Sequence, residues 1–195
     1  MASKKRLSNG LRILTEPISS VKSVAVGLWI RAGVVTEKPE INGISHFIEH
    51  MLFKGTEDRT AKEIAEAVDG VGGHMNAFTS REYTCYYMKV LDEHLELALD
   101  LLSDMVFRSR MDTNEIEKEK SVIAEEISMY EDSPEDLAHD LLVEYMFRNQ
   151  PLGYPILGHQ QTIQGFDRDK IYDYMDRLYR PNNAVLAVAG NFEDD

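Results

Sequence analysis

His46, Glu49 and His50 stand in the run HFIEH, which gathers two imidazoles and a carboxylate into five residues. On a helix, residues four apart project about 40° from each other. Both rings can then reach a single metal ion. Glu49 follows His46 by one turn, where a carboxylate can hold a water and take its proton. The set implies metal-assisted hydrolysis with two ligands and a general base. A hydrolytic zinc ion needs a third protein ligand and an open fourth position. The competing reading is a surface helix, with Ile44, Phe47, Ile48, Met51 and Leu52 on an apolar face and the two His and Glu49 in solvent.

The segment Asp112 to Glu131 supplies candidates for the third ligand. Asp112 with Glu115 three residues on resembles a capping box and predicts a long helix. Ile116, Ile123, Ile127 and Tyr130 form its expected buried stripe. Glu119 and Glu126 fall on that same stripe, where apolar side chains would be expected. A buried carboxylate without a partner is costly, so both acids are expected to have one. Glu117 and Glu125 point outward.

With these residues in view, the chain resembles the pitrilysin or insulinase family of inverzincin metallopeptidases, especially the bacterial and mitochondrial processing peptidases. That family pairs H-x-x-E-H with a glutamate 76 residues beyond the second His, the place Glu126 holds relative to His50. It also carries a glutamate seven residues before that ligand, the place of Glu119. EKEKSVIAEEISMYEDSPED resembles its second signature, and GGHMNAFTSREYTCYY its substrate-binding strand. The resemblance runs from NGLRILTEP to AVLAVAGNF. It implies one Zn²⁺ per chain on His46, His50 and Glu126, with Glu49 as general base. Glu119 would orient a ligand or the water, or act directly in catalysis. Asn76 and Ala77 would grip the substrate backbone beside the zinc; the plainer role for Asn76 is to satisfy a turn next to Gly72 and Gly73.

The implied activity is that of a zinc-dependent endopeptidase hydrolysing extended peptides through a metal-activated water. Family members usually have two homologous halves, or two subunits, closing like a clamshell, the second supplying an Arg and Tyr pair. Nothing in this chain matches that pair. The chain reads as the first, zinc-bearing half, with a second homologous domain or subunit as partner. The alternative is a non-catalytic or partner-dependent scaffold of the same fold. A structural zinc site would want a fourth protein ligand, and Cys85 is remote and embedded in a strand.

Other elements must position these groups. Strands are predicted at Leu11–Leu14, Val24–Ile30, Met75–Thr79, Tyr83–Val90 and Ala184–Ala189. Helices are predicted at Gly43–Lys54, Ala61–Val71, Glu93–Arg108, Thr113–Tyr130, Pro134–Arg148 and Asp169–Tyr179, with Thr60 and Glu63 forming a capping box. Asn149 to Gly165 reads as the longest irregular segment. The pattern predicts an α+β fold, a largely antiparallel sheet with helices on one face, in one domain over residues 1–195. An edge strand between His74 and Val90 would accept a peptide as an added strand, independently of the peptide's sequence.

The net charge of −13 disfavours nucleic acid as a partner. It fits either an acidic chamber for basic peptides or a solvated acidic surface. With 43% hydrophobic residues the chain can fill one core. A single cysteine excludes an internal disulfide, and Cys85 reads as a buried small hydrophobe. MASKKRLSNG lacks an apolar core, and no run is long enough to span a membrane. The expected location is the cytoplasm, or the mitochondrial matrix for a mature chain.

Overall fold

Alternation of side chains along six strands decides which face of the sheet is covered. The computed structural model describes residues 2–193. Its strands are β1 (Ser3–Arg6), β2 (Arg12–Pro17), β3 (Ser23–Ile30), β4 (His74–Thr79), β5 (Thr84–Leu91) and β6 (Ala184–Gly190), in the spatial order β1-β2-β6-β3-β5-β4. In β3, Val24, Val26, Leu28 and Ile30 are buried, and in β5 so are Tyr86, Met88 and Val90. These alternate positions lie on one side of the pleat. They join a core with Phe47, Ile48, Leu101, Ile123, Ile171 and Tyr174 from the helices. The helices therefore cover one face, and Trp29 and Tyr87, of the opposite parity, lie only partly buried on the other.

The helices are α1 (Ile44–Met51), α2 (Ala61–Gly70), α3 (Leu95–Phe107), α4 (Thr113–Glu131), α5 (Pro134–Met146), α6 (Gln160–Gln164) and α7 (Arg168–Leu178). Thr60 caps α2 through the expected reciprocal box with Glu63. Asp112 caps α4 by accepting from the backbone N–H groups of Asn114 and Glu115. The expected α+β fold holds, a largely antiparallel sheet with its helices on one side.

The departures are local. One pair of strands, β2 with β6, runs parallel. β1 pairs with β2 antiparallel although its sequence, SKKR, carries no hydrophobic alternation. The segment expected to be irregular after Asn149 contains α6, which buries Ile163. Tyr130, expected on the buried stripe of α4, is exposed, because the last turn of that helix runs beyond the core. No residue of α5 is buried. No helix among the described residues is long and apolar enough to cross a membrane.

Candidate metal centre

Helix α1 is anchored from its N-terminal end by a carboxylate that the sequence pattern did not reveal. Glu37 is buried, and its Oε2 accepts from Gly43 N (2.8 Å) and Asn42 Nδ2 (2.9 Å), while its Oε1 accepts from Ser45 N (2.9 Å). It thereby satisfies backbone donors that the first turn of a helix leaves open. Burial pushes the Glu37 pKa up, and the donors around it pull it back down in part. Gly43 begins the helix at φ 93°, a conformation natural to glycine. A Cβ there would lie 2.7 Å from the Leu157 carbonyl oxygen and 2.8 Å from Gly158 Cα. This close approach locks α1 against the loop before α6.

Apart from Glu49 and His50, which are partly exposed, every residue of α1 is buried, His46 included. The surface-helix reading is therefore overturned: this helix runs through the core and exposes only its chemical residues. His46 and His50 lie with ring centroids 4.5 Å apart. Glu126 reaches them from α4, its Oε2 standing 3.7 Å from His46 Nε2 and 3.6 Å from His50 Nε2. One ligand atom from each of the three falls within 4.8 Å of the others. Tetrahedral ligands held at about 2.1 Å from zinc sit roughly 3.4 Å apart, so the two separations at Glu126 are already close to what that ion needs. Two imidazoles and one carboxylate are also the donor types of hydrolytic zinc sites.

The two imidazoles differ in readiness for a metal: His46 is already neutral, whereas His50 must release a proton on binding one. Burial lowers the His46 pKa to about 3, and the neighbouring His50 pushes the same way, so His46 is neutral at ordinary pH. Its Nδ1 is buried without a hydrogen-bond partner, leaving Nε2 as the nitrogen that faces other donors. Burial also works against a charged His50, but the hydrogen bond and charge of Glu119 outweigh it, with Glu126 and Glu49 adding, and its pKa is raised.

Glu119 lies two helical turns before Glu126 on α4 and is buried. Its Oε1 stands 2.8 Å from His50 Nδ1, and its Oε2 is 2.5 Å from Lys54 Nζ. Burial alone would raise its pKa, but His50 and Lys54 reverse the sign and keep it anionic. By accepting the Nδ1 proton, Glu119 makes Nε2, which faces Glu126, the nitrogen that can ligate once His50 is neutral. Lys54 went unremarked in the sequence, although it stands four residues beyond His50.

Glu49 is brought beside His50 and Glu126. Burial raises its pKa, opposed by a hydrogen bond from Thr79 and by His50, and reinforced by Glu126. Thr79 Oγ1 donates to Glu49 Oε2 at 2.5 Å. Thr79 belongs to β4, the edge strand, whose Met75, Ala77 and Thr79 turn toward the helices. Asn76 is exposed, and its Oδ1 accepts from Ala77 N at 2.9 Å, so that amide is held within its own strand. His74, His139 and His159 are exposed and His94 is partly so, none of them joining the cluster.

The insulinase family model, peptidase family M16, matches residues 12–160. The chain belongs to that family. Among curated relatives it is similar to the uncharacterized zinc protease YmxG of Bacillus subtilis, 54% identical over 194 residues, covering 100% of this chain and 47% of that protein. An uncharacterized zinc protease of Rickettsia felis is 44% identical over 190 residues, covering 97% of this chain and 46% of that protein. Among solved structures, a protease from Helicobacter pylori superposes with a TM-score of 0.90 at 26% identity, covering all of this chain and 47% of that one. The chain thus spans about half the length of the relatives it matches.

Proposed function

We propose that this chain is the zinc-bearing half of a metalloendopeptidase that hydrolyses extended peptides, with one Zn²⁺ held by His46, His50 and Glu126. The observation that carries the reading is the convergence of His46 Nε2, His50 Nε2 and Glu126 Oε2 from two helices, with Glu49 beside the last two. The zinc names of the relatives support the same ion.

Zinc, when bound, lowers the pKa of water and polarises a carbonyl. Glu49 takes the proton from the attacking water and delivers it to the leaving amine; a carboxylate with a raised pKa is suited to both transfers. Glu119 orients His50, and Lys54 holds Glu119. The open edge of β4 receives the peptide as an added strand, with Asn76 and Ala77 meeting its backbone. For that pairing Asn76 Oδ1 must release Ala77 N. Because the relatives are about twice as long, a second homologous domain or subunit is proposed to complete the chamber and exclude water.

The deciding experiment is zinc content by elemental analysis on this chain and on Glu49→Gln, paired with cleavage of a quenched basic peptide. About one zinc in both, with cleavage only by the unmodified chain, is the outcome expected of a self-sufficient peptidase. Zinc in both with cleavage in neither assigns the chain to the partner-dependent alternative. Absence of zinc from both overturns the site.

A further inference from the structure

The three proposed zinc ligands and the general base come from α1 and α4, yet the base is also held from the sheet. Thr79 Oγ1 is the hydrogen-bonding group that reaches Glu49 among the described residues, at 2.5 Å from Oε2. A hydroxyl can donate only one proton. Its neighbour Thr84 lies opposite it in the strand register and directs its own hydroxyl to the Ala32 carbonyl oxygen at 2.9 Å. The two hydroxyl oxygens stand 3.4 Å apart. With Thr84 committed elsewhere, the Thr79 proton is free for Glu49. That single bond fixes one carboxylate oxygen and leaves Oε1, which makes no hydrogen bond to a described residue, to face the reacting water.

The place of Thr79 gives this bond a second meaning. It is the last residue of β4, which pairs with β5 on one side and offers its other edge to a peptide. Ala77, two residues earlier on the same face, is buried, and Thr79 itself is partly buried between that strand and α1. The strand that would receive substrate and the base that would activate the attacking water are therefore joined by one hydrogen bond.

We propose that Thr79 is a positioning residue: its hydroxyl sets the orientation of the Glu49 carboxylate and ties it to the substrate-binding strand. The inference rests on the peptidase reading above. Thr79→Val keeps the shape and the strand preference of the side chain while removing the donor, and Thr79→Ser keeps the donor while weakening the strand preference. A purely structural role predicts that Val is tolerated and Ser is the damaging change. The positioning role predicts the reverse order.

The test uses the full-length protein loaded with zinc, a quenched basic peptide, and crystal structures of the unmodified and Val forms. The expected result is a kcat lowered about 10- to 100-fold in Thr79→Val, the scale of one charge-assisted hydrogen bond. KM, zinc content and melting temperature should stay near those of the unmodified protein, and Thr79→Ser should recover kcat to within about threefold. In the crystal, the Glu49 carboxylate of the Val form should have turned from its original rotamer. Unchanged kcat in Thr79→Val, or an unmoved Glu49, overturns the proposal. If the unmodified protein cleaves no better than Glu49→Gln, the peptidase reading fails, and the pair of crystal structures still decides whether Thr79 orients Glu49.

Discussion

Glu119 Oε1 lies 2.8 Å from His50 Nδ1, so one ring nitrogen is committed before any ion arrives. Groups that hold a ligating His in this way typically contribute 10- to 100-fold to metal affinity. Glu119→Ala is expected to weaken zinc binding by about that factor, measured by competition with a chelator of known affinity. Lys54→Met should weaken it by less, since Glu119 would keep its bond to His50.

Glu37 is the anchor of α1, and replacing it by Ala strands backbone donors in the core. A loss of about 2–4 kcal/mol is expected, read from denaturant unfolding of the zinc-free chain. If the unfolding midpoint does not move, α1 is held by its apolar face alone.

Helix α5 and the core should respond very differently to truncation. Leu141 is 53% exposed, whereas Leu101 of α3 is fully buried. Leu101→Ala should cost about 2–5 kcal/mol. Leu141→Ser should stay within about 0.5 kcal/mol in this chain. A large cost at Leu141 would show that α5 packs on something in solution, such as a second copy.

Cys85 is buried, and burial pushes its pKa up from 9.0 to about 12, with the Glu49 charge adding. The thiolate is the reactive form, so alkylation at pH 8 should proceed only after unfolding. For an acid whose pKa is raised by folding, stability is intact below the unfolded value and falls as pH rises past it. The Cys85 contribution should therefore fade between pH 9.0 and about 12, and Cys85→Ala should remove that part of the alkaline loss.

The parts of this molecule that were legible in sequence are those written at short range. HFIEH is one helical turn and a little more, and Glu126 stands on a heptad-like stripe that also carries Ile116, Ile123 and Ile127. The links between such pieces were not legible. Thr79 and Glu49 are 30 positions apart on different kinds of element, and no periodicity connects them. Glu37 lies outside any α-helix or strand, where a lone acid has no pattern to break. β1 is a strand because β2 offers it an edge, since its own charged residues carry no strand signal. Tyr130 had the right spacing for burial, but α4 outlasts the core it packs on.

β6 lies between β2 and β3, so the middle of the sheet is made by the last strand among the described residues. During synthesis the first three strands can form only one hairpin, β1 with β2, while β3 pairs with β5. These two sub-sheets keep facing edges open until residues 184–190 leave the ribosome and insert between them. Until then those edges are templates for pairing with other chains. Assembly must wait for contacts such as Arg12 with Val185, far apart in sequence, which slows folding. A chain stopped just before Ala184 would have its α1 and α4 residues intact and its sheet in two pieces, and would be a substrate for chaperones and proteases.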